Sequence, residues 1–284
     1  MRVGALCLFL GLAACASPPK VKPEGERKAE IEEIFAGTEG CFLLYNLKTK
    51  NFESIYNKKY CYERTAPAST FKIPLAAMAI DAGLILDKKT PFRWDGVKRK
   101  INSWNEDQTA ASWLKNSTVW VSGIITKKLG RKKVQAYLKK FGYGNRDFSG
   151  DIEAAWLTAS PEEEEKGRRS TVKITAYEQI DFLEALYTNE LPVSAKAREL
   201  TRSLIDLDES SRGFHLSGKT GSGYVRAGSP RRLGWFVAHL VGNGKEYLVA
   251  TRFADLDTPA EDAGYAGPRA REITEQLLHS AGLW

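Results

Sequence analysis

The sequence predicts an α+β fold in which one antiparallel sheet is assembled from both ends of the chain, with a helical lobe inserted between them. Three observations carry this prediction. Strand-like runs lie near residues 40–56 and again after residue 214; the residues between them are apolar at helical spacing; and the chain closes on an amphipathic stretch. Hydrophobic residues make up 43% and charged residues 27%, near globular averages, which excludes a disordered chain and a multispan membrane protein. A chain of 284 residues can bury a sizeable core, as one large domain or as two lobes that share it.

In chain order, residues 1–15 come first. One Arg precedes a short apolar run and then small residues, the pattern of a secretory signal. Leu12-Ala-Ala-Cys15 resembles the lipobox of bacterial lipoproteins, so a lipidated Cys15 is expected to tether the mature protein to a membrane in the periplasm. Residues 16–30 are polar and Pro-rich, as a tether should be, and the domain proper is expected over 31–284.

Gly40–Asn46 and Asn51–Tyr56 read as a hairpin with its turn at Lys48-Thr49-Lys50. A helix follows over Phe71–Leu86, with Gly83 near its end. Residues 87–112 are loop-rich. Ser117–Phe141 reads as helical, as do Ile174–Tyr187 and Ala195–Leu204, the last two separated by Pro192. Strands are expected at Phe214–Leu216, Gly234–Leu240 and Glu246–Phe253, with Gly242-Asn243-Gly244 as a turn. An amphipathic helix over 268–280 ends the chain. The Glu162–Glu165 run, flanked by Lys166, Arg168 and Arg169, reads as a solvated loop.

The net charge of +7 becomes +6 once Arg2 leaves with the signal. Lys and Arg are scattered among 35 acidic residues, so no basic stripe suggests nucleic acid; a basic surface suits a small anionic substrate equally well. Of the four cysteines, Cys7 departs with the signal and Cys15 carries lipid. Cys41 and Cys61 remain, either as a disulfide or as two buried thiols.

The chemistry is sought next. The three histidines lie late in the chain and no Gly-x-Ser-x-Gly elbow accompanies them, which argues against a Ser-His-Asp triad; no close His/Cys/Asp cluster reads as a metal site. Lysine serves as a base when burial lowers its pKa. Ser69 and Lys72 stand three residues apart, on one side of a helical turn, and Pro74 fits a helix that starts there. A helix start offers Ser69 backbone N–H groups and partial positive charge. Ser117-Thr118-Val119 supplies a second hydroxyl at another helix start. Lys219-Thr220-Gly221 sits beside strand-like sequence, where an ammonium and a hydroxyl can receive a carboxylate. Gly221 permits close approach to the backbone, and the Ser222 N–H would complete an oxyanion hole with that of Ser69. Tyr143-Gly144-Asn145 adds polar groups on a turn.

These four motifs, in this order and at these separations, resemble the class D β-lactamases, the oxacillinases, and the resemblance extends from about Gly37 to the C-terminus. It implies the β-lactamase/transpeptidase-like fold and hydrolysis of the β-lactam amide of penicillins and related antibiotics. Ser69 would be the acylated nucleophile. Lys72 would be carboxylated on its amine by carbon dioxide or bicarbonate, with no other cofactor, and would act as general base. Ser117 would pass a proton to the leaving nitrogen and Lys219 would orient the substrate, with Val119, Thr220, Gly221 and Ser222 lining its site. Trp156 matches the tryptophan whose indole N–H stabilises the carbamate. Arg269 or Arg271 would meet the substrate carboxylate. The alternative within the resemblance is a β-lactam-sensing domain that is acylated without turnover. The chain departs from the family pattern at 158–169, an apparent insertion expected to alter the loop beside the site and the surroundings of Trp156.

Overall fold

A computed structural model describes residues 24–284, apart from 159–162, 164, 166, 168 and 261–263. The signal segment, the first part of the tether and much of the Glu162–Glu165 run therefore lie outside the described residues. Residues 24–30, assigned to the tether from composition, belong instead to helix α1 (Glu24–Ile34), because Ile31 and Ile34 give this charged segment an apolar edge to rest on the domain.

The expected hairpin forms as β1 (Thr38–Asn46) and β2 (Asn51–Tyr56). A short helix α2 (Lys58–Cys61) follows, capped by the Asn57 side chain. The helix expected over Phe71–Leu86 forms as α3 (Lys72–Asp81), which follows a 3-10 turn over Ala68–Phe71 and ends short of the expected Leu86. Loop residues 87–112 contribute two short paired strands, β3 (Pro91–Phe92) and β4 (Gln108–Thr109), and lead into α4 (Ala110–Lys115). The helix expected over 117–141 is two helices, α5 (Val119–Leu129) and α6 (Arg131–Phe141). Gly130 between them has φ 76°, a conformation that ends a helix and that glycine adopts without steric cost. Two further helices, α7 (Ala176–Tyr187) and α8 (Ala195–Leu204), lie close to where apolar spacing placed them. Thr175 and Glu178 start α7 with a reciprocal capping box.

The C-terminal third supplies β5 (Asp206–Ser211), β6 (Phe214–Tyr224), β7 (Arg232–Gly242), β8 (Lys245–Asp255) and α9 (Ala266–Ser280). Among the described residues the main sheet runs β2-β1-β8-β7-β6-β5, every neighbour antiparallel. The first and last thirds of the chain thus share one sheet, as expected. Strand β5 escapes sequence reading because Asp-Leu-Asp-Glu-Ser-Ser lacks apolar alternation; its backbone pairing with β6 makes it a strand.

Both faces of the sheet are covered, so its central strands are buried along almost their whole length. On one face α9 and α1 pack over Phe42, Leu44, Phe236 and Val249. On the other the helical lobe packs over Leu43, Tyr45, Trp235 and Val237. Cys41 and Cys61 form a disulfide with Cα atoms 5.2 Å apart, which joins β1 to α2. No helix among the described residues is long and apolar enough to cross a membrane.

Candidate active site

Ser69 stands on the 3-10 turn that feeds directly into α3, so it occupies a helix start as its sequence suggested. Ala68 just before it has φ 49°, a left-handed conformation that costs an alanine energy and must be held by its surroundings. The Ala68 N–H donates to Trp156 O at 3.0 Å, and Thr70 donates its hydroxyl to Pro67 O at 2.7 Å. Behind the turn, the buried Gln179 amide donates to Thr70 Oγ1 at 2.8 Å.

Lys72 lies one turn on and is fully buried; its Nζ donates to Ser69 Oγ at 3.0 Å. Burial, reinforced by the neighbouring Lys219 ammonium, holds the Lys72 amine well below the ordinary lysine value. Lys219 on β6 is also buried, and that pushes its amine down to about 8. Two buried lysines within electrostatic reach do not both ionise readily, so burial and the nearby Lys219 charge both favour the neutral form of the Lys72 amine.

Strand β6 alternates its faces. Gly221 faces the Ser69 turn so closely that a Cβ there would lie 2.9 Å from Pro67 O and 3.2 Å from Thr70 Cγ2. This close approach is what the glycine permits. Ser222 turns to the opposite face, where its hydroxyl accepts from the Gly267 N–H at 2.7 Å and docks α9. Lys219 Nζ lies 3.2 Å from Thr220 O and 3.4 Å from Thr220 Oγ1, which gathers the ammonium and hydroxyl at one place.

Trp156 is fully buried and stacks on Phe71 at 5.2 Å, yet its indole Nε1 has no hydrogen-bond partner in the protein. A buried N–H without a partner is costly, and here it lies in the same aromatic cluster as the residue preceding Lys72. That orphan donor and the desolvated amine fit a carbamate on Lys72, which would satisfy the indole N–H. The insertion does not displace Trp156. Ala155 O accepts from the N–H groups of Thr171 and Val172, and Thr158 Oγ1 donates to Tyr224 O at 3.0 Å, so both ends of 158–169 are fastened to the domain.

Ser117 takes a left-handed conformation, φ 55°, in the turn between α4 and α5. The N-cap residue of α5 is Thr118, so Ser117 is not a helix cap. Its turn is fixed by the Thr118 hydroxyl on Gln108 Oε1 at 3.3 Å and by the Thr118 N–H on Trp113 O. Val119 opens α5 and lines a cavity of about 190 Å³ with Trp104, Trp120, Glu153 and Leu157. Tyr143 packs edge-on against Phe71 of the Ser69 turn, with ring centres 5.8 Å apart. The Asn145 amide donates to Thr171 O at 2.7 Å and accepts from Lys173 N at 3.0 Å, clamping the segment that returns from the insertion. Arg269 pairs with Asp255 at 2.8 Å and lies over the Phe253 ring, whereas Arg271 pairs with Glu209 and Glu275. No cluster among the described residues could hold a metal ion.

Residues 40–278 match the penicillin binding protein transpeptidase domain family. The chain is 42% identical over 225 residues to β-lactamase OXA-1 of Escherichia coli, a match covering 77% of each protein. Among solved structures it resembles the class D β-lactamase BAT-2 delta mutant, with TM-score 0.76, 29% identity and coverage of 89% of this chain and 96% of that one. It also resembles the C-terminal domain of the Bacillus licheniformis BlaR penicillin receptor, with TM-score 0.78, 29% identity and coverage of 89% and 95%.

Proposed function

The chain belongs to the class D serine β-lactamases, a family of hydrolases, and from that premise we propose that it opens the β-lactam amide through an acyl-enzyme on Ser69. The observation that carries the reading is the fully buried Lys72 amine 3.0 Å from Ser69 Oγ. Ser69 Oγ attacks the lactam carbonyl while its proton passes to the base at Lys72. The Ser69 and Ser222 N–H groups receive the developing oxyanion. The C–N bond breaks, Ser117 returns a proton to the leaving nitrogen, and water then cleaves the Ser69 ester. Lys219, largely protonated at neutral pH, holds the substrate carboxylate with the Thr220 hydroxyl, and Gly221 lets the substrate lie against β6. Carboxylation of Lys72 by carbon dioxide would supply an anionic general base at the same place, with Trp156 Nε1 as the donor that holds it. The Leu12–Cys15 lipobox and the preceding apolar run support a periplasmic, lipid-tethered enzyme.

Turnover of a chromogenic cephalosporin by the purified chain, abolished by Ser69→Ala, is the expected result. Failure to hydrolyse any penicillin or cephalosporin would overturn the proposal. The likeness to the BlaR receptor domain supports a second reading, acylation without release. Intact mass separates the two, since a sensor keeps a stoichiometric adduct after substrate is exhausted.

A further inference from the structure

One row of residues crosses four strands of the sheet and faces the helical lobe: Cys41 on β1 is opposite Arg252 on β8, Arg252 is opposite Trp235 on β7, and Trp235 is opposite Gly221 on β6. Each member holds the next piece of the segment that leads to the nucleophile. Cys41 binds Cys61 covalently. The fully buried Arg252 guanidinium donates to Tyr60 O, to Glu63 O at 2.5 Å and to Thr65 Oγ1 at 3.5 Å, and lies 3.8 Å from the Tyr60 ring centre. The Trp235 indole N–H donates to Ala66 O at 3.1 Å. Gly221 lets Pro67 O and Thr70 press against the strand.

We propose that this row is a template for the nucleophile, with Arg252 and Trp235 as positioning residues that hold Ala68 in its left-handed conformation and thereby keep Ser69 Oγ against Lys72. The inference rests on Ser69 being the nucleophile. A left-handed alanine persists only where its surroundings over-determine it. Beyond the Ala68–Trp156 bond, the segment 60–67 is fixed to the sheet through these contacts. With one released, Ala68 relaxes toward negative φ and Ser69 turns away from the base, while residues that touch the substrate stay where they are. Displacements near 1 Å in a reacting group cost up to about 100-fold in rate.

The test is single-turnover acylation by a fluorescent penicillin, at a temperature where circular dichroism shows each variant folded. Trp235→Phe keeps an aromatic ring, removes the N–H donor and leaves a small cavity where the rest of the buried indole stood; Arg252→Met removes the charged donors, and Arg252→Lys restores some of them. The expected result is an acylation rate constant lowered at least ~10-fold in Trp235→Phe and Arg252→Met, partial recovery in Arg252→Lys, and pre-covalent affinity within about twofold of the parent. Should Arg252→Met not fold, Trp235→Phe alone decides. Unchanged acylation in a folded Trp235→Phe with a lowered Tm would make the row purely structural and overturn the proposal. Covalent labelling that survives Ser69→Ala would instead remove the nucleophile assignment, an outcome the other variants cannot mimic.

Discussion

Trp156→Phe tests the fit between the orphaned indole and a carboxylated Lys72. The substitution keeps an aromatic ring against Phe71, which Trp156 meets nearly parallel at 5.2 Å, and deletes a buried N–H that has no partner in the protein. Without a carbamate, that N–H destabilises the fold, so its loss offsets part of the cavity left by the smaller ring. With a carbamate, the same N–H donates to a charged acceptor, an interaction worth about 1.5–3 kcal/mol. At about 1.4 kcal/mol per factor of ten, half-saturating bicarbonate should rise roughly 10- to 150-fold in Trp156→Phe. The assay is the initial rate on a chromogenic cephalosporin in degassed buffer titrated with bicarbonate, paired with ¹³C NMR of protein equilibrated with labelled bicarbonate. The variant should regain most of the parent rate at saturating bicarbonate. Half-saturation within twofold of the parent, or no carbamate resonance in either protein, would refute the reasoning.

Three further outcomes are expected. In bicarbonate-free buffer, Lys72→Met should raise the Tm at neutral pH, by about 2–4 °C for each kcal/mol relieved, while abolishing turnover. Its sign follows from linkage: the folded-state amine lies below its unfolded value of 10.5, so the unfolded chain binds the extra proton between the two. The parent therefore gains stability as pH rises through that window, and thermal melts of Lys72→Met should be flatter there. Reducing the Cys41–Cys61 bridge opens the loop of sequence separation 20 and should cost about 3 kcal/mol in denaturant melts, a loss absent if the bridge does not form in the isolated protein. Asn145→Ala removes one donor and one acceptor from the 171–173 clamp and should cost about 2 kcal/mol of stability, with acylation of the folded fraction little changed.

The proximity of Ser69 and Lys72, the pair proposed to react, was legible in sequence because it is local. A spacing of three on one helical turn brings Ser69 and Lys72 together whatever the rest of the chain does, and the start of α3 follows from the same few residues. Apolar periodicity likewise placed α7 and α8, since the pattern that buries a helix face is written in the helix itself. The turn at Asn243-Gly244 has the positive φ at both residues that its composition predicts.

Only tertiary structure decided the rest. It divided 117–141 at Gly130, made a strand of 206–211 by pairing, and joined Cys41 to Cys61 where sequence left two possibilities open. It fastened both ends of 158–169, so that Trp156 stays buried beside an insertion expected to disturb it. It also buried both lysines and brought Lys219, 147 residues away in sequence, close enough to Lys72 to help hold that amine below its ordinary value. The row from Cys41 to Gly221 depends on strand register across β1, β8, β7 and β6. Register is a property of paired strands rather than of any one of them, and for that reason no single segment of the chain spells it out.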